Sequence, residues 1–165
     1  MKRICAFVVC FIILFCCTGC GFIRVVPDAD TIGQSKAFEK DGIKLLLTDA
    51  YEEQVSERGF YGYYVAEFGA VMVERIRHSE SSEYDGMTLE EFAERYKNDN
   101  GHAKTALQYE DGLVYYPKEE GNRTYYTFFY SGSDSFWTVQ LACYTTDLIV
   151  LKDTIMLFAA AVEVE

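Results

Sequence analysis

The stretch Arg123-Thr124-Tyr125-Tyr126-Thr127-Phe128-Phe129-Tyr130-Ser131-Gly132-Ser133-Asp134-Ser135-Phe136-Trp137-Thr138-Val139-Gln140-Leu141-Ala142-Cys143 decides the fold. In its second half Trp137, Val139, Leu141 and Cys143 fall on one face, while Thr138 and Gln140 fall on the other. That period of two is the pattern of a half-buried strand, and it makes Trp137 a core residue. Ser131-Gly132-Ser133-Asp134 reads as a turn, so the aromatic first half is a second strand running back against the first. Upstream, Glu119-Glu120-Gly121-Asn122 is another turn, and Asp111-Gly112 another, parting segments 105–110 and 113–118. The whole region from 105 to 143 is a meander of antiparallel strands.

Further upstream two more hairpins are legible. Ala37-Phe38-Glu39 and 43–48 flank Asp41-Gly42, and segments 62–68 and 71–76 flank Gly69-Ala70. Between these hairpins and the meander, Thr88-Leu89-Glu90-Glu91 has the spacing of a capping box, and Leu89, Phe92, Ala93 and Tyr96 recur at helical spacing. A second helix is predicted from Asp147, with Leu148, Leu151, Ile155, Phe158, Ala159 and Val162 on one side and Lys152 and Asp153 on the other, followed by a short strand at 162–164. Helices that each have one stripe to bury, separated by runs of antiparallel strands, predict an α+β sandwich.

The N-terminus carries an address. Lys2-Arg3 precedes an apolar run over 4–17, too short for the ~20 residues of a membrane span and right for a secretory leader. Thr18-Gly19-Cys20 then has the form of a bacterial lipobox, with Cys17 standing where an aliphatic residue is usual. The expected organisation is a signal peptide over 1–19, a lipidated Cys20 with a flexible tether over 20–35, and one domain over 36–165. Acyl burial contributes ~0.8 kcal/mol per methylene, so several chains on one cysteine hold a domain at the outer face of the cell membrane. An uncleaved anchor or an ordinary secretory cleavage near Gly19 would also put the domain outside the cytoplasm. Of six cysteines, Cys143 alone falls in the domain, so no disulfide framework is available and the core must be sufficient.

The formal charge is −11, with 15 basic against 26 acidic residues, and the basic ones are scattered. Nucleic-acid binding is disfavoured. Acidic clusters at Glu80, Glu83, Asp85 and at Glu90, Glu91 have the charge to recruit a cation or a basic partner, but solvated faces are the simpler reading of such runs. His78 and His102 have no metal-spaced partner, Cys143 on an apolar strand face predicts an inert thiol, and Ser131–Ser135 lacks the frame of a nucleophile elbow. No catalytic residue, metal or cofactor is expected. A hydrolase remains the alternative, in which carboxylates such as Glu67, Glu74 and Asp85 meet in a cleft.

Thirteen tyrosines are the feature most suited to recognition. They include the adjacent pairs Tyr63-Tyr64, Tyr115-Tyr116 and Tyr125-Tyr126, and neighbours in a strand point to opposite faces. If one sheet face is open, Tyr63, Tyr115 and Tyr125 form a surface for a protein, peptide or glycan partner; if helices cover both faces, the rings belong to the core.

The runs Phe38-Glu39-Lys40-Asp41-Gly42-Ile43-Lys44-Leu45, Thr88-Leu89-Glu90-Glu91-Phe92-Ala93, Gly132-Ser133-Asp134-Ser135-Phe136-Trp137-Thr138-Val139-Gln140 and Lys152-Asp153-Thr154-Ile155 resemble small lipoproteins of Gram-positive bacteria. These in turn resemble the PsbP-like α/β/α sandwich. The resemblance implies a curved antiparallel sheet packed with two helices and a non-catalytic binding or accessory role in the envelope. Replacing Cys20 with Ser is expected to release the protein from the membrane fraction and to change its processing. Unchanged fractionation and size on a gel would refute lipidation.

Overall fold

The computed structural model describes residues 32–80 and 83–165. The signal-peptide reading and Cys20 lie outside the described residues. Among the described residues ten strands form two antiparallel sheets: β1 (Ser35–Lys40), β2 (Ile43–Thr48), β3 (Glu52–Glu53), β4 (Gly62–Ala66), β5 (Gly69–Arg77), β6 (Gln108–Glu110), β7 (Leu113–Glu120), β8 (Arg123–Ser131), β9 (Ser135–Tyr144) and β10 (Glu163–Val164). The α-helices α1 (Leu89–Asp99) and α2 (Leu148–Ala160) pack against them. The seven-stranded sheet has the order β3-β4-β5-β9-β8-β7-β6, and the three-stranded sheet the order β1-β2-β10.

β9 is the middle strand of the seven and is paired along its length on both sides, from Gly69↔Cys143 to Arg77↔Ser135 with β5 and from Arg123↔Tyr144 to Ser131↔Phe136 with β8. Its predicted inner face holds: Trp137, Val139, Leu141 and Cys143 are all buried. They meet Leu151, Ile155 and Ala159 of α2 and Ile43, Leu45 and Leu47 of β2, so this face is covered by a helix and the small sheet together. On the other face α1 lays Phe92 and Ala93 onto Val114, Tyr116, Phe129 and Phe136. Phe92 stacks on Phe136 with ring centroids 4.3 Å apart and planes 7° from parallel. The capping box forms as expected: Glu91 N–H donates to Thr88 Oγ1 at 3.2 Å, and Thr88 N–H donates to Glu91 Oε2 at 2.9 Å.

The 37–48 hairpin pairs with β10 in the separate three-stranded sheet. One local expectation is corrected. The turn of the second hairpin is Glu67-Phe68, while Gly69-Ala70 opens β5 and pairs across to β9. Gly69 is needed there for close approach: a Cβ would lie 2.6 Å from the Ala142 carbonyl oxygen. The outward side of α2 carries, besides Lys152 and Asp153, Ile149 at 92% and Leu157 at 69% exposure.

Arg75 on β5 joins the two sheets. Its Nη1 donates to Asp41 Oδ2 at 3.1 Å in the β1–β2 turn, Nη2 to Asp134 Oδ1 at 3.1 Å, and Nε to Ser135 Oγ at 3.0 Å. The guanidinium lies 4.9 Å from the Trp137 ring centroid. Gly42, at φ +85°, lets that turn rest against Trp137; a Cβ would come 3.0 Å from Cζ2.

Trp137→Ala is expected to lower unfolding free energy by about 3–5 kcal/mol, and Thr88→Ala by about 1 kcal/mol. Urea denaturation should give that order; a Trp137 loss no larger than the cap's would contradict a two-sided core.

Candidate functional site

α1 covers only part of the outer face of the large sheet. Beside it runs a groove of about 730 Å³. Its floor comes from strand positions facing away from the inner core: Ala70, Met72 and Glu74 of β5, Thr138, Gln140 and Ala142 of β9. Register sets the rows. Tyr63↔Met72, Met72↔Gln140, Gln140↔Thr127 and Thr127↔Tyr116 form one, and Ala70↔Ala142, Ala142↔Tyr125 and Tyr125↔Lys118 the next. Small residues in the middle and rings at the sides make the trough. Phe60, on the 54–61 loop, has its ring 6.2 Å from that of Tyr63 and contributes to the same wall.

Of the three tyrosines predicted as a surface, Tyr63 and Tyr125 line the groove. Tyr115 does not. It is 2% exposed, packs in the inner core with Tyr126 and Phe128, and donates from its hydroxyl to Glu110 Oε2 at 2.9 Å. The ring in the groove is that of its neighbour Tyr116. Each tyrosine pair does divide between the faces, but β7 has the opposite phase from the one assumed. Lys118 shares the parity of Tyr116 and could have signalled it, because a lysine marks the wetter face.

Glu74 is half-buried in the groove. Its Oε2 accepts from the Tyr96 hydroxyl and, at 3.2 Å, from Thr138 Oγ1. Tyr96 comes from α1 and is fixed by ring contacts with Phe92 and Phe129 at 5.9 and 5.6 Å. Gln140 Nε2 donates to Thr127 Oγ1 at 3.0 Å. At the other end Lys118 pairs with Glu120 at 2.8 Å, which holds the Glu120 carboxyl below its ordinary value, with His102 and Arg58 adding to the effect. His102 itself is drawn into the groove wall, 5.6 Å from the Tyr116 ring, and burial lowers its pKa.

The carboxylates named for hydrolysis are not brought together. Glu74 is in the groove, Glu67 stands in the β4–β5 turn beside a smaller hollow of about 100 Å³, and Asp85 is exposed ahead of α1. Among the described residues no group of three His, Cys, Asp or Glu is placed to hold a metal ion. No helix among them is long and apolar enough to cross a membrane. Sequence reasoning missed Met72, Tyr96, Gln140 and the 54–61 loop as site components.

No family model and no curated protein sequence matches the chain. Solved structures do. Cyanobacterial PsbP (CyanoP) from Synechocystis sp. PCC 6803 superposes with a TM-score of 0.57 at 14% identity, over 89% of this chain and 98% of that one. The chain has a PsbP-like fold. A crystal structure from Bacteroides thetaiotaomicron VPI-5482 gives 0.53 at 10% identity, over 81% of this chain and 49% of that one. LpqN, involved in cell envelope biogenesis of Mycobacterium tuberculosis, gives 0.44 at 12%, over 79% and 90%. At such identities the likeness is one of fold.

Burial and the Glu110 contact push the Tyr115 phenol up from 10 to about 12, and burial likewise raises Tyr51, Tyr96 and Tyr130. The fold therefore keeps protons that the unfolded chain gives up near pH 10, so the contribution is complete below pH 10 and is lost as pH rises toward 12. Near-ultraviolet titration should show fewer tyrosines ionising near pH 10 in the folded chain than in urea; equal titration would oppose this burial.

Proposed function

We propose that the protein is a lipid-anchored extracytoplasmic module, tethered through Cys20, that binds or assists another component of the cell envelope without catalysing a reaction. The observation that carries this reading is the groove, where a polar floor and the rings of Tyr63, Tyr125 and Tyr116 sit on a part of the outer face that α1 leaves open. Tyrosines on rigid strands offer broad contact with little entropy to lose on binding. The fold is compatible with an accessory role, and the acidic net charge disfavours nucleic acid as partner. A protein, peptide or glycan of the envelope fits the surface. Hydrolysis gains no support, because Glu67 and Asp85 lie outside the groove that holds Glu74.

A photo-crosslinking residue at Met72 or Tyr125, in intact cells, is expected to give discrete adducts that the same residue at Lys152 on α2 does not. Equal yields from groove and helix would remove the groove from the proposal.

A further inference from the structure

We propose that Glu74 is the recognition carboxylate of the groove for a protonated amine or guanidinium, presented as a lysine or arginine side chain by an extended polypeptide. The inference rests on the groove being a binding surface and names what it selects.

Glu74 is built as an acceptor and has no ion-pair partner among the described residues. Two hydroxyl donors, from Tyr96 and Thr138, fix Oε2, and Tyr96 is itself locked by Phe92 and Phe129. Oε1 accepts no hydrogen bond from a described residue, and none of the ion pairs among the described residues includes Glu74. At the other end Lys118 pairs with Glu120, Arg123 lies over the Tyr144 ring at 5.0 Å, and Arg58 acts on the Glu120 carboxyl. Hydroxyl donors steady a carboxylate but do not neutralise it, so the local need is for a positive group. Burial raises the Tyr116 phenol, and the negative charge at Glu74 adds to that. Aromatic walls favour an organic cation over a hydrated metal ion, since ring faces attract ammonium and guanidinium groups and supply no ligand oxygens.

The shape argues for a polypeptide. The row from Tyr63 to Tyr116 crosses four strand intervals, about 19 Å, the reach of about six extended residues. Ala70 and Ala142 in the floor leave room for a backbone to lie close. The acidic surface of the whole chain, with net charge −11, adds a field that gathers basic segments.

The test uses the full chain in detergent with isotope-labelled tyrosine rings, titrated with a blocked hexapeptide bearing one central lysine. Resonances of Tyr63, Tyr96 and Tyr116 are expected to shift, with binding weakened roughly tenfold or more when the lysine is replaced by norleucine or the protein carries Glu74→Gln. Glu74→Asp should retain part of the preference, which separates charge from folding. Equal binding of lysine and norleucine peptides, or unchanged binding by Glu74→Gln, would overturn the proposal. So would stronger shifts with an amino-sugar tetramer or with phosphatidylethanolamine vesicles than with the lysine peptide. Groove crosslinks in cells that survive Glu74→Gln in full would refute the carboxylate's role while leaving the groove as the binding surface.

Discussion

A strand in the middle of a seven-stranded sheet, bonded on both edges, has only its two faces left to define. β9 meets that constraint by giving the faces different chemistry. Trp137, Val139, Leu141 and Cys143 build the inner core, whereas Phe136 anchors α1 and Thr138, Gln140 and Ala142 become the groove floor. Because the side-chain period of a strand is two, a slip of one residue would exchange these roles throughout the strand. The pairing with β5 and β8 fixes the register, and the position of every groove residue follows from it.

The outer face is divided lengthwise. Near Phe136 and Phe129 it is apolar and takes the stripe of α1; toward Gln140 and Ala142 it is small and polar, and no helix of the described residues lies on it. Tyr96 stands at the boundary, its ring with the aromatic cluster and its hydroxyl on Glu74. The same helix that closes one half thus supplies a donor to the other. A groove arranged this way inherits its rigidity from the packing of α1.

Much of this architecture can be read in the sequence because it depends on local signals. Asp111-Gly112 forms its turn with positive φ at both residues, 50° and 80°, and the Thr88 cap and the alternation from Trp137 to Cys143 are equally local. What could not be read depends on neighbours distant in the chain. Gly69 looked like a turn glycine, but its function is to admit the Ala142 carbonyl of another strand. The run Leu113-Val114-Tyr115-Tyr116 is apolar throughout, so its phase had to come from pairing with β8, and Tyr115 was misplaced for that reason. Glu74 was a candidate by residue type alone. Its partners, from α1 and β9, are 22 and 64 residues away.

The three-stranded sheet has a consequence for the order in which the chain can acquire its structure. β2, formed early in the chain, takes β10 as partner at the far end; Lys44 meets Glu163 across 119 residues, and Glu165 N–H donates to the Gly42 carbonyl while its own carbonyl accepts from Ser133. β2 also roofs the inner core. That roof therefore cannot close until residues 163–165 have been made, and until then Ile43, Leu45 and Leu47 have only part of their cover. Contacts of such long range slow folding, so the domain matures as one late event, with β2 waiting for β10.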